Sequence, residues 1–332
     1  MKKLGVVISS GFLLFLLNLT NEVLAAEPYP VKPITFIVPL EAGSDGDILL
    51  RPICQKVSVI LGQPIVIVNK PGAASSIGFR EVYSAKPDGY TIGLGTISLV
   101  TNKLQGLMTQ DHHDFTIILG APYRFYHHVF ASTKTKRPFK TIEEVISYAK
   151  AHPRDVSVAT SAVGATAWIL TMALMSETGI NLNVIPQAGV GALVVAQVAG
   201  GHTDIGISPL PAAKSQLEAG NLRFLAVIGP ERIPGYKDIP TLGDAGFGFG
   251  KATNTLESIG FIIGPPKMPK DIIAKLAKAL EAAAKDPEYQ EFLLQRLVLP
   301  FLVPTDKIVP FLDVQRNVAR SVLDKAGILK EK

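Results

Sequence analysis

The sequence predicts an α/β protein of two lobes, each a mainly parallel sheet flanked by helices. Three observations lead there. A unit of short apolar strand, small-residue turn and amphipathic helix occurs three times within about seventy residues of the first half. The same unit recurs through the second half. Between the halves an aromatic run, Tyr123, Phe125 and Tyr126, separates two short strands, and there the chain is expected to cross between lobes. The expected division is 27–125 with 251–332 in one lobe and 126–250 in the other.

The first 26 residues read as an export signal. Lys2 and Lys3 precede an apolar stretch from Gly5 to Leu17, and Val23-Leu24-Ala25 or Leu24-Ala25-Ala26 offers a small-residue cleavage site. The stretch is short for a membrane span. About 306 residues then remain, enough for two lobes. The 33 basic and 28 acidic residues of the full chain give a net charge of only +5, and the basic residues are scattered, so a nucleic-acid partner is not expected. Cys54 is the only cysteine, which excludes an intrachain disulfide. An exported chain without disulfides points to a periplasm.

The opening unit sets the pattern. Ile34 to Val38 is β-branched and apolar, the composition of a buried strand. Pro39 stops it. Glu41 to Asp47 is a small polar turn, and a helix begins with Asp47 placed to cap it. The second unit is Ile65 to Val68, the turn Asn69 to Gly78, and a helix from Phe79 to Ala85. The third is Tyr90 to Leu94 with the turn Gly95 to Ser98. Right-handed crossovers place all three turns at the carboxyl edge of one sheet. Phe115 to Leu119 and Val129 to Ala131 read as strands, and Thr141 caps a helix to Ala151 with Glu144 three residues on. Strands follow at Val156 to Thr160, Asn183 to Ile185, Asp204 to Ser208 and Leu222 to Ile228. Their turns are Ser161 to Thr166, Gln187 to Gly191 and Pro209-Leu210-Pro211. Helices run from the first of these turns to about Thr178 and over Ala192 to Ala199. A strand from Glu257 to Ile263 returns the chain to the first lobe. Helices over Pro269 to Lys285, Pro287 to about Leu297 and about Thr305 to Asp324 close the tail, and their apolar stripes read as packing.

Turns of this composition at helix N-termini supply free N–H groups and hydroxyls, the donors that replace the water shell of a carboxylate. Competing chemistries lack their signatures. No turn reads G-x-G-x-x-G or G-x-x-x-x-G-K-[ST], and no G-x-S-x-G elbow presents a nucleophile. The six histidines never fall at the i, i+4 spacing of a helical zinc pair, so surface or core roles are expected for them. Glu41, Asp45 and Asp47 cluster without the spacing of a calcium loop. Neither a metal nor a cofactor is expected.

The chain resembles the periplasmic solute-binding proteins of tripartite tricarboxylate transporters, the Bug receptors. The matching segments are Tyr29 to Ile34, Val38 to Gly43 with Asp47 and Arg51, Leu61 to Pro64, Asn69 to Ala73 with Ile77-Gly78, Pro87 to Thr91, Gly95-Thr96, Asp238 to Leu242 and Asp244 to Gly246. The resemblance covers essentially the whole chain after the signal. It implies a two-lobe, type II periplasmic-binding-protein fold that closes on a small organic carboxylate without catalysis, as a monomer, and passes it to membrane permease subunits. A receptor feeding a sensor kinase is the alternative. Carried over residue by residue, the ligand-binding candidates are Gly43, Ser44, Asp47, Ala74, Ser75, Ser76, Thr96 and Ser98 on the first lobe. On the second they are Gly164, Ala165, Thr166, Trp168, Gly189 and Ser208. The departures from the family pattern are Glu41, Ser44 and Asp45 where small residues are usual, Ala165 for a serine, Trp168 for a histidine, Ser208 for an aspartate, and Ala74 to Ser76 for glycines and an asparagine. Trp168, the only tryptophan, either packs in the core or stacks on a ligand ring.

Overall fold

The computed structural model describes residues 29–187, 191–247 and 258–331. The first three units are β1 (Ile34–Val38) with α1 (Asp45–Leu61), β2 (Ile65–Asn69) with α2 (Ser76–Tyr83), and β3 (Thr91–Gly95) with α3 (Ile97–Leu104). β1 pairs in parallel with β2 on one side and β3 on the other. Asp47 is not the cap of α1. The helix starts two residues earlier, with Ser44 extended at its N-cap, because the Asp47 carboxylate reaches back from the first turn to accept the Gly43 N–H at 2.9 Å.

β4 (Thr116–Phe125) and β5 (His127–Ser132) follow. The aromatic run expected between two short strands is strand itself, and Tyr126 alone joins them. β4 extends this far because β10 (Ser258–Gly264) pairs with it from Thr116 to Phe125. The second sheet is built from α4 (Ile142–Ala151), β6 (Ser157–Thr160), α5 (Thr166–Thr178), β7 (Asn183–Pro186), α6 (Ala192–Ala199), β8 (Ile205–Pro209), α7 (Leu210–Glu218) and β9 (Leu222–Ile228). Helix α7 is absent from the sequence expectation. Pro209 and Pro211 read as a break, yet proline fits a helix's first turn, where its missing N–H has no intrahelical partner to lose. Residue 257, expected to open β10, and 188–190, in the turn before α6, lie outside the described residues. The tail comprises α8 (Lys270–Ala284), α9 (Pro287–Gln295), a two-residue β11 (Leu299–Pro300) and α10 (Thr305–Lys325).

The strand orders are β11-β4-β10-β3-β1-β2 and β7-β6-β8-β5-β9. β11 aside, the two sheets share one plan: second, first and third strands in parallel, then an antiparallel strand on which the chain crosses between sheets, then the fourth. Among the strand pairs described, the parallel ones lie within the strand–turn–helix units, and β5 and β10, the strands that enter each sheet from the other, run against their neighbours.

Alternation divides the first core. Ile34, Phe36 and Val38 face α1, α8 and α9, where Leu50, Ile53, Leu280 and Tyr289 pack, while Ile37 faces Phe79, Val100 and Leu312. Helix α10 belongs to both lobes. Ile308 and Leu312 lie in the first core, whereas Ala319, Val322 and Leu323 are buried with Ile169, Leu170 and Leu174 in the second.

Two glycines separate crowding from backbone strain. A Cβ on Gly120 would fall 1.9 Å from the Val303 carbonyl oxygen, while one on Gly179 (φ +71°) meets nothing within 4 Å. Gly120→Ala is expected to cost at least ~2–3 kcal/mol in urea denaturation, through a clash with backbone that cannot rotate away. Gly179→Ala is expected to cost about 1 kcal/mol, from the left-handed conformation alone.

Candidate functional site

Four helix N-termini open onto one cavity between the sheets, with a volume of about 100 Å³. From the first lobe come Asp45 and Gly46 at the start of α1, and Thr96, Ile97 and Ser98 at the start of α3. From the second come Ala165, Thr166 and Ala167 at the start of α5, and Gly191 with Val194 at the start of α6. Each helix begins where a parallel strand ends, so the unpaired N–H groups and positive dipole ends of all four converge. The Thr96 hydroxyl is buried and has no hydrogen-bond partner among the described residues. Leu40, Leu94, Tyr123, Phe125, Ile207 and Ile259 make the rest of the wall mostly apolar, and among the described residues no lysine or arginine lines it.

Only part of the expected constellation meets here. Thr96, Ser98, Ala165 and Thr166 line the cavity. Gly43 and Ser44 line a second pocket, of about 270 Å³, that includes Arg296 and shares Asp45 with the cavity. The Asp47 carboxyl is buried and committed to its own turn, accepting from Arg51 at 2.9 Å through both oxygens and from Asn69 at 3.0 Å. Ala73, Ala74 and Ser75 all have positive φ, and the Ala74 carbonyl accepts from Asn102 at 2.9 Å, which fastens this turn to α3. Ser75 and Ser76 are buried in that turn and do not line the cavity. Gly164 acts between lobes: its carbonyl accepts from Thr101 Oγ1 at 3.2 Å and Gln105 Nε2 at 3.4 Å. Trp168 is buried in the second-lobe core and is not among the described residues that line the cavity. Ser208 is buried with its hydroxyl toward the Pro209 carbonyl, while Ile207 and Pro209 line the cavity. Gly189 lies outside the described residues.

Several lining residues escaped the sequence reading. Tyr123, Phe125 and His127 come from the crossing strands, where the aromatic run was the available signal. Ser161 opened a turn already marked as a donor, and Ser258 carried no signal. His127 pairs with the Ser258 hydroxyl at 3.3 Å, and burial pushes its pKa down to about 3, so it is neutral.

A family model described as tripartite tricarboxylate transporter family receptor matches residues 49–328. The chain belongs to that family. Among its relatives, BugT of Bordetella pertussis is 27% identical over 316 residues, covering 92% of this chain and 91% of its own. The solved periplasmic binding protein BugD is 26% identical with a TM-score of 0.80, covering 91% of this chain and 100% of its own. An R. palustris protein solved with adipate is 27% identical with a TM-score of 0.82, covering 91% of this chain and 99% of its own. The fold is therefore the two-lobe periplasmic-binding-protein architecture that the sequence implies, in a family of solute receptors.

In this tripartite tricarboxylate transporter receptor, two carboxyls of one helical turn are driven in opposite directions. Burial alone pushes Asp45 up to about 7, with no hydrogen bond or ion pair to oppose it among the described residues. Burial also works to raise Asp47, but the hydrogen bonds from Arg51, the Gly43 N–H and Asn69, with the Arg51 charge, outweigh it and hold the group below its usual range.

The stability consequences have opposite signs. Asp47 contributes stability above its unfolded pKa of about 3.9, and loses it as pH falls through the lower folded value. Asp47→Ala is expected to cost roughly 2–3 kcal/mol at pH 7 and less near pH 3, read by urea denaturation. Asp45 imposes a cost that grows as pH rises from about 4 through 7. Because that carboxyl is only partly buried, Asp45→Asn is expected to stabilise by no more than about 1–2 kcal/mol at pH 8 and to flatten that slope.

Proposed function

We propose that this chain is a periplasmic receptor that captures a small organic carboxylate in the interlobe cavity and delivers it to the permease subunits of a tripartite tricarboxylate-type transporter. The observation that carries the reading is the convergence of four helix N-termini on one apolar cavity that also holds an unpaired buried hydroxyl. Buried N–H dipoles of this kind bind an anion without a lysine or arginine, and their strength rises where water is excluded. The relative solved with adipate supports a carboxylate as the ligand class. Residues 1–26 would direct export and be cleaved.

Asp45 narrows the class. Its carboxyl lies at the cavity wall beside the mouth of α1, where a second ligand carboxylate would meet it at close range and low dielectric. A ligand with one carboxylate, and an apolar or hydrogen-bond-donating far end, avoids that repulsion. The cavity volume of about 100 Å³ favours a compact molecule.

The signal-free protein, unfolded and refolded to strip bound ligand, would be screened by thermal shift against mono-, di- and tricarboxylates and amino acids. At about 100 times the dissociation constant a ligand adds ~2.7 kcal/mol to stability. Shifts with compact monocarboxylates are expected, with affinity lowered roughly tenfold by Ser98→Ala or Thr166→Val through the loss of a hydrogen bond to a charged group. Asp45→Asn is expected to raise dicarboxylate affinity by about tenfold or more. No response to any carboxylate would overturn the reading.

A further inference from the structure

The histidine pairs behave differently in the structure. His127 and His128 alternate across β5, as adjacent strand residues must. His112 and His113 instead lie in a short 3-10 turn, His112–Asp114, and both present Nε2 to one oxygen, Oδ1 of Asp313 on α10, at 3.0 and 2.8 Å. Their ring centroids are 4.2 Å apart. The turn is held by a reciprocal cap: the Asp111 carboxylate accepts the His113 N–H at 3.0 Å, and the Asp114 carboxylate accepts the Asp111 N–H at 2.9 Å. The other Asp111 oxygen takes Lys103 Nζ at 3.0 Å. Asp111 therefore shapes the turn, and although it lies within 4.8 Å of the imidazole nitrogens its oxygens are already engaged.

We propose that His112, His113 and Asp313 form a binding site for a divalent transition-metal ion, zinc above all, which ties the turn before β4 to the tail helix. Two imidazole nitrogens and one carboxylate oxygen suit zinc, cobalt, nickel or copper, whereas calcium and magnesium take oxygen ligands. Bonds of about 2.0–2.1 Å in a tetrahedron set neighbouring donors roughly 3.3 Å apart. The nitrogen–oxygen separations of 3.0 and 2.8 Å fall short of that by up to about half an ångström, and His113 and Asp313 are exposed enough to adjust. Solvent reaches the His113 side, so water completes the coordination. His112 Nδ1 is buried without a partner among the described residues. The ring thus lacks the outer hydrogen bond that strengthens metal sites by about 10–100-fold, and an affinity on the order of micromolar is expected.

The test uses the signal-free chain without a polyhistidine tag, stripped with chelator. Zinc is titrated by calorimetry, and cobalt by its visible ligand-field absorption. One ion per chain is expected, with a rise in thermal midpoint. His113→Ala and Asp313→Asn, both at exposed side chains and so compatible with folding, are each expected to weaken binding at least tenfold, while His202→Ala leaves it unchanged. Absence of stoichiometric binding to the parent chain overturns the site, as does binding undiminished in both variants.

Discussion

In a parallel sheet with right-handed crossovers, every helix that follows a strand begins at the same edge, with its first N–H groups unpaired and pointing away from the sheet. Here two such sheets face each other across a cleft, and four of those helix starts end on one cavity. The short strands, the small-residue turns and the apolar faces of α1, α3, α5 and α6 follow from that geometry. An anion site built this way needs no charged side chain because the fold supplies the partial charges.

The residues just outside the cavity set the shape of its wall. Asp47, Arg51 and Asn69 lock the turn before α1, and that locked turn leaves Asp45 at the cavity wall. Across the cleft, Thr101 and Gln105 hold the Gly164 carbonyl. A Cβ on Gly164 would push aside the Gln105 side chain that holds its carbonyl, and its positive φ favours glycine there. The lobes are joined by the single residue Tyr126 between β4 and β5, by the return to β10, and by α10, which is buried in both cores. Relative motion of the lobes therefore bends or slides α10 as well as turning the crossing strands.

Much of this was legible in the sequence because period and punctuation are local. The β-branched run from Ile34 to Val38 and the glycine after Leu61 fix their elements without tertiary information. The errors arise where distant partners decide. β4 is long because β10 lies beside it, and α7 forms because its prolines fall within a first turn. The candidate site was half legible. Thr96, Ser98, Ala165 and Thr166 stand at helix starts and line the cavity, and a helix start is a sequence signal. Asp47 and Ser208 do not line it, since direction on a helix turn or a strand depends on register and on partners such as Arg51. The adjacent histidines illustrate the same limit: alternation holds for His127 and His128 on a strand and fails for His112 and His113 in a 3-10 turn.

The absence of lysine and arginine among the described residues of the cavity wall also bears on how salt acts on the site. Recognition through exposed cationic side chains weakens as mobile ions screen it, over a Debye length of roughly 10 Å at 0.1 M salt. Helix-end amides lining a cavity between two lobes are less open to those ions than surface side chains, and backbone N–H groups do not titrate. A site of this construction depends less on salinity than a cationic one, while Asp45, a lining group whose charge changes near neutral pH, ties it to acidity.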